Sequence, residues 1–318
     1  MNRGPSAAGM AVGASADMPQ SGRTPPSCSP LPRDSGRGGG GLGSTRRALA
    51  GMVRPVVALL LLALTSGQSA AGADQPLELR YRFSWAGVPI AELALRHLIS
   101  SGVYQTELAI ASIGLADQLT HFRGVSRATG RYAAQNGFSA ARFRSASSSY
   151  RKSRSILVGF DPHTGDVIEL ELTKRGEPDR SKVPAALQKG VIDPLTALVQ
   201  LRHRLAVGQL EDYTAAVFDG RRRFDLDAQV VGRDIVEIAG RSQPVIEVRV
   251  GLALIAGANQ DDLDDAEAED NAMRLKLLLS DDERLIPLQL STMDSLFTAT
   301  AEIMPECLEP GGCRPVSG

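Results

Sequence analysis

The chain has 318 residues, with 35 basic and 36 acidic side chains and a formal net charge of −1. Residues 1–73 carry seven of the basic and two of the acidic ones, so the remaining 245 residues hold 28 against 34, a net charge of −6. This excludes a nucleic-acid binder held by bulk positive charge, and the length suits one larger β-domain or two small ones.

Met1 to Gly51 is rich in Gly, Pro and Ser, and the run Gly36 to Gly43 is broken only by Arg37 and Leu42. Such a composition buries too little apolar surface to offset its ordering entropy. It reads as a disordered leader or as a translation start placed too far upstream. Met52-Val53-Arg54 then forms a short basic n-region, Pro55 to Leu64 an unbroken apolar run, and Ala71-Gly72-Ala73 the small-x-small pattern that signal peptidase accepts. Ten residues at 1.5 Å each are too few to cross a bilayer, so residues 52–73 are predicted to be a cleaved signal peptide. The partial twin-arginine pattern Thr45-Arg46-Arg47-Ala48-Leu49 lacks its bulky and basic continuation, leaving the general secretory route as the expectation. Residues 74–318, without a Pro/Gly linker, are read as a single β-rich periplasmic domain.

Leu77, Leu79, Tyr81, Phe83 and Trp85 alternate with Glu78, Arg80, Arg82 and Ser84, which places every apolar side chain of an extended segment on one face. After the break at Ala86-Gly87-Val88-Pro89, Ala91, Leu93 and Leu95 share one side of a second strand, Ile90 to Leu98. Further strands are predicted at Val103 to Ala111, Ser126 to Ala134, Ala140 to Ser147, Ser153 to Phe160 and Asp166 to Leu172, the last two joined by the turn Asp161-Pro162-His163-Thr164-Gly165.

One segment interrupts the meander. Asp193-Pro194 supplies an N-cap followed by proline at the first helical position, and Leu195, Leu198, Val199, Arg202 and Leu205 then fall on one helical face. Arg202, His203 and Arg204 suit the negative end of the helix dipole. Strands resume at Tyr213 to Phe218, Arg223 to Val230, Val245 to Leu254, Met273 to Leu279, Leu285 to Leu290 and Phe297 to Ile303, with Asp219-Gly220 as a hairpin turn. About a dozen strands and one central helix predict a mainly β fold, a curved antiparallel sheet or incomplete barrel with the helix in its concave side.

Cys307 and Cys313 flank Leu-Glu-Pro-Gly-Gly, a turn-forming sequence that brings them together as a disulfide in an oxidising compartment. The rival reading, half of a metal site, has no second CxxC pair and no nearby histidine to complete it.

The strand Tyr81-Arg-Phe-Ser-Trp85-Ala-Gly87, the helix start Asp193-Pro-Leu-Thr-Ala197 followed by Arg202, Asp219-Gly220 in a hairpin, and Leu279-Ser-Asp-Asp282 with Leu285-Ile-Pro287 occur in an order and spacing that resembles the exported bacterial proteins grouped as domain of unknown function 3108. The resemblance spans nearly all of the chain after the signal segment. It implies a periplasmic β-rich domain and carries over no activity and no catalytic residue. The acidic stretch near Asp261, and Leu277 and Leu278 where an aromatic is expected, depart from the family pattern.

The search for chemistry returns little. Gly36-x-Gly38-x-x-Gly41 has dinucleotide-loop spacing but no strand before it, and Ser149-x-x-Lys152 has acyl-enzyme spacing but no Lys-Thr-Gly partner. HExxH and GxSxG are absent, and His97, His121, His163 and His203 are scattered. Seven of the ten residues 261–270 are acidic without EF-hand spacing, which reads as a solvated loop. Arg142, Arg144, Arg151, Lys152 and Arg154, with Arg221 to Arg223 elsewhere, would make an anion site if they shared a face; outward-facing strand residues explain them more simply.

Three roles remain. The first is a non-enzymatic binder of a lipid or other apolar ligand, its concavity lined by Tyr81, Phe83, Trp85, Leu195, Leu198 and Val199, side chains that a packed core around the helix explains better. The second is an envelope assembly or scaffold protein acting through protein contacts, for instance along a sheet edge. An enzyme is the least supported, and neither cofactor nor metal is expected.

Overall fold

Alternation sets the first strand: β1 (Leu77–Trp85) buries Leu79, Tyr81 and Phe83 and turns Arg80 and Arg82 away from the core. The computed structural model describes residues 77–209, 212–257, 272–293, 298–309 and 313, all within one compact unit. The predicted leader and signal segment, residues 1–73, the acidic stretch 261–270 and Phe297 lie outside the described residues.

The first meander continues with β2 (Val88–Ser100), β3 (Val103–Ser112), β4 (Arg123–Ala133), β5 (Gly137–Ser148), β6 (Ser153–Phe160), β7 (Val167–Lys174) and β8 (Glu177–Asp179). A second follows: β9 (Tyr213–Phe218), β10 (Arg223–Ile238), β11 (Arg241–Ala256), β12 (Ala272–Ser280), β13 (Pro287–Thr292) and β14 (Ala299–Ile303). All fourteen form one antiparallel sheet in the order β8-β7-β6-β5-β4-β3-β2-β1-β14-β13-β12-β11-β10-β9, so the mainly β antiparallel fold expected from the sequence is the one adopted. The two meanders join where β1 pairs with β14, Tyr81 opposite Ile303.

Between the meanders runs helix α2 (Pro194–Ala206), preceded in the chain by the short α1 (Gly114–Thr120). Residues 190–193 bridge the two ends of the strand order. Val191 N–H donates to Gly165 O (2.9 Å) in the β6–β7 turn, while Ile192 N–H donates to Ala216 O (2.9 Å) and Ile192 O accepts from Phe218 N–H (2.8 Å). The β9–β10 turn meets the far edge as well: Arg221 Nη1 donates to Asp179 Oδ2 at 2.6 Å and Nη2 to Thr173 O at 3.2 Å. Gly220, at φ +92°, makes this approach possible, because a Cβ there would sit 2.5 Å from Ile156 Cγ2. The sheet therefore curls until its ends touch.

Three features depart from the sequence reading. Helix α1 was not expected; it buries no residue, has no side-chain cap, and is tied down by Asp117, whose carboxylate accepts from Ser112 Oγ (2.8 Å) and Arg123 Nη1 (2.6 Å). The three-residue β8 is too short to leave a pattern. The hairpin β10–β11 extends to Ile238 and Arg241, beyond the predicted ends Val230 and Val245, through residues that are mostly exposed and so carry no inward-facing alternation.

Candidate functional site

Asp193 begins the site. Its extended backbone (φ −77°, ψ 161°) lets Oδ1 accept the Thr196 N–H at 2.9 Å, and Pro194 follows at a first-turn position that needs no amide hydrogen. Nine of the thirteen residues of α2 are buried, so the helix is enclosed on nearly every side by the sheet.

A polar chain runs through this apolar interior. Thr196 Oγ1 donates to Asp193 Oδ2, so the hydroxyl of Tyr104, 2.5 Å from Thr196 Oγ1, acts as donor to it when the carboxyl is ionised. Burial pushes the Asp193 carboxyl up to about 6 against the hydrogen bonds from Thr196, and burial followed by the Asp193 charge raises the Tyr104 phenol. Gly130 makes room for the ring: a Cβ there would run into the Ser139 carbonyl and lie 2.7 Å from Tyr104 Cε1. One turn along, Gln200 accepts from Tyr213 Oη (2.9 Å) and donates Nε2 to Phe138 O (2.6 Å).

The C-terminal half of α2 carries Arg202, only 2% exposed. Its Nε donates to Leu285 O at 2.6 Å and its Nη2 to Arg284 O, both in the turn between β12 and β13. That turn is built on Asp282, whose Oδ1 accepts from Ser280 Oγ (2.7 Å) and from the amides of Arg284 (3.0 Å) and Leu285 (3.2 Å). Burial lowers the guanidinium pKa, yet its intrinsic value keeps it charged. Beside it, Tyr81 Oη donates to Pro287 O at 3.0 Å. His97 is buried too: Nδ1 lies 2.8 Å from Thr106 Oγ1, and Nε2 has no hydrogen-bond partner among the described residues. Burial, then the Arg202 charge, lowers its pKa to about 3, so this imidazole is neutral.

Of the residues chosen from sequence, Tyr81, Phe83, Leu195, Leu198 and Val199 are buried core and Trp85 is half-buried against it. Tyr81 borders a cavity of about 10 Å³, lined also by Leu93, Leu95, Leu108, Leu290 and Ala301 among others. Tyr104, Thr106 and His97 were missed. The signal available was their phase, since each is a polar-tipped residue at the inward position of its strand, where Leu95, Leu108 and Ile110 also point.

The charged candidates are largely engaged within the chain. Arg142 reaches Glu169 (3.2 Å), Arg221 reaches Asp179, and Arg223 reaches Asp225 (2.8 Å). Ser149 Oγ donates to Lys152 O (3.3 Å), which places the Ser-x-x-Lys pair in a tight turn rather than at a nucleophile. His97 and His203 are not scattered as expected, because both rings meet Phe138 edge-on, at 6.0 and 5.8 Å between centroids. Among the described residues no group of three or more His, Cys, Asp or Glu side chains is arranged to hold a metal ion. Cys307 and Cys313 are bridged, their Cα atoms 4.5 Å apart.

The profile of the family described as "Protein of unknown function (DUF3108)" matches residues 80–303. The chain belongs to that family. Three of the motifs that carry the DUF3108 resemblance meet in space: Tyr81 bonds to Pro287, and Arg202 to the Arg284–Leu285 turn. Among solved structures, the DUF3108 chain is similar to a β-barrel-like protein of domain of unknown function DUF1849 from Brucella abortus, with 13% identity, a TM-score of 0.45, and coverage of 74% of this chain and 98% of that one. It is also similar to a candidate lipoprotein from Parabacteroides distasonis ATCC 8503, with 4% identity, a TM-score of 0.29, and coverage of 76% and 97%. No curated protein matches the sequence.

Proposed function

We propose that this protein is an exported, non-enzymatic envelope protein that works through contacts between its outer surface and other envelope proteins. The filled interior carries this reading. Helix α2 occupies the space the curled sheet encloses, and the cavity beside Tyr81, at about 10 Å³, has room for about one water molecule. An acyl chain needs a pocket of roughly 300 Å³ or more. Export rests on residues 52–73, and the Cys307–Cys313 bridge supports it because such cross-links persist in oxidising compartments. No helix among the described residues is long and apolar enough to cross a membrane.

A second reading, binding of a lipid or other apolar ligand, is supported by the apolar wall that Leu93, Leu95, Leu108 and Leu290 present to Tyr81; it requires that cavity to widen. Titration with a fluorescent fatty acid separates the two. The proposed function expects no saturable uptake, together with cross-linking to envelope proteins from a photo-reactive residue placed at exposed Ile168. Saturable one-to-one uptake that Tyr81→Ala abolishes in a folded protein would overturn it in favour of the ligand reading.

A further inference from the structure

Strand β10 is longer than its outer neighbour. β9 pairs with residues 223–228 alone, so among the described residues Gln229–Ile238 has a ladder partner only on the β11 side. The orientation of the unpaired backbone follows from two observations. Ile235 N–H is taken by the side-chain Oδ1 of Asp234 (2.7 Å) rather than by β11, and the residue opposite Ile235 on β11 is Pro244, which has no amide hydrogen to give. Ile235 therefore directs its N–H and C=O to the open edge, where its amide would exchange the Asp234 side chain for a carbonyl of a pairing strand, and by the two-residue period Arg233 and Glu237 face the same edge.

We propose that this edge pairs with the same edge of a second copy, antiparallel about a twofold axis at Ile235, to give a homodimer with a sheet continuous across both chains. In an antiparallel ladder hydrogen-bonded pairs alternate with non-hydrogen-bonded ones, so the register can be centred on Arg233, Ile235 or Glu237, or on Asp234 or Val236 between them. Centring on Arg233 sets guanidinium against guanidinium, centring on Asp234 or Glu237 sets carboxylate against carboxylate, and centring on Val236 sets Glu237 opposite Ile235 and Arg233 opposite Ala239, with no charge pair. Centring on Ile235 places Arg233 opposite the second copy's Glu237, the second copy's Arg233 opposite Glu237, and the two Ile235 side chains together. The charges thus select one register. The side chains fit the role: Ile235 is 72% exposed, the Arg233 side chain is 63% exposed, and Glu237 is exposed on the same face. Arg233 also meets Asp281 through Nε (3.1 Å), a contact that the pair with the second copy's Glu237 would share or replace. The proposal does not depend on what the interior binds.

Sedimentation equilibrium of the purified protein tests it through a charge exchange. The wild type is expected to dimerise. Arg233→Glu confronts like charges at both symmetric positions, as does Glu237→Arg, and each alone is expected to weaken dimerisation by roughly tenfold or more. An equimolar mixture of the two variants restores complementary pairs and is expected to re-form the dimer. Thermal melts of each variant establish that it is folded. A monomeric wild type at about 100 μM would overturn the proposal and leave the edge to a different partner or to solvent. Dimers that survive both single exchanges, or a mixture of folded variants that stays monomeric, would equally overturn it.

Discussion

Arg202 and Leu285 are 83 positions apart and joined by a 2.6 Å bond from guanidinium Nε to carbonyl oxygen. With the second bond to Arg284 O, this fastens the last turns of the enclosed helix to a turn of the surrounding sheet. Leu285 holds φ +46°, a conformation that a branched residue adopts only when its surroundings impose it, and the Arg202 bond is one such constraint.

Arg202→Met keeps the length of the stem while leaving two carbonyl oxygens without their charged donor. The expected loss is roughly 2 to 4 kcal/mol in chemical denaturation, partly offset by no longer burying a charge. Hydrogen exchange should quicken at the amides of Arg284, Leu285 and Ile286, while β3–β5 stay protected.

Asp193 predicts an inverse pH dependence. Its folded-state value, about 6, stands above the ordinary 3.8, so between the two the native state holds a proton that the unfolded chain has released. Stability then falls as pH rises from about 4 to about 6, by about 3 kcal/mol for this group. Asp193→Asn, which keeps an acceptor for Thr196 N–H, should remove this contribution, so that melting temperatures between pH 4 and 6 rise more steeply with pH than in the wild type.

His97 acts in the opposite direction. The native imidazole resists protonation down to about 3, whereas the unfolded one takes a proton near 6.5, so stability is lost as pH falls through that window, by roughly 4 to 5 kcal/mol in all. His97→Leu should flatten the acid limb and expose the Asp193 slope that it masks between pH 4 and 6. Equal acid sensitivity in wild type and variant would count against this assignment.

Phe83 and Trp85 should separate although they share a face of β1. Phe83 is buried in the core and Trp85 only half-buried. Phe83→Ala is expected to cost about 3 to 5 kcal/mol and Trp85→Ala clearly less, as read by denaturant midpoints.

The terminal bridge should matter locally. It closes a loop with a sequence separation of six, which contributes only about 2 kcal/mol through the unfolded chain. Cys313→Ser should therefore fray the segment from Pro305 onward and leave the far-ultraviolet signature of the sheet unchanged.

The strands were legible wherever one face met the core. In Tyr81–Phe83 or Leu93–Leu95 the apolar phase alone locates the strand and its inward side, and Asp193-Pro194 announces the helix. The outer part of β10 has no inward face from Val231 to Ile235, so no period marks it, and its conformation comes from pairing with β11 instead. The interior polar chain was legible only as polar-tipped side chains in an apolar phase. Tyr104 and His97 gave that sign, but nothing in sequence spacing links Tyr104 to Thr196, 92 positions away.

Tyr81 pairs with Ile303, 222 positions later, and β14 completes the second side of β1. When the chain emerges from its amino end, β1 acquires β2 at once but must wait for almost all the rest before its other edge is covered. Throughout that interval an amphipathic strand stands open in the partly made protein, available to any neighbouring chain. A shortened polypeptide that stops before Ala299 would keep it open permanently. Early termination near the carboxyl end should therefore yield aggregates in place of a slightly smaller soluble protein, and growth of the nascent chain, more than helix or hairpin formation, should set how soon this sheet can close.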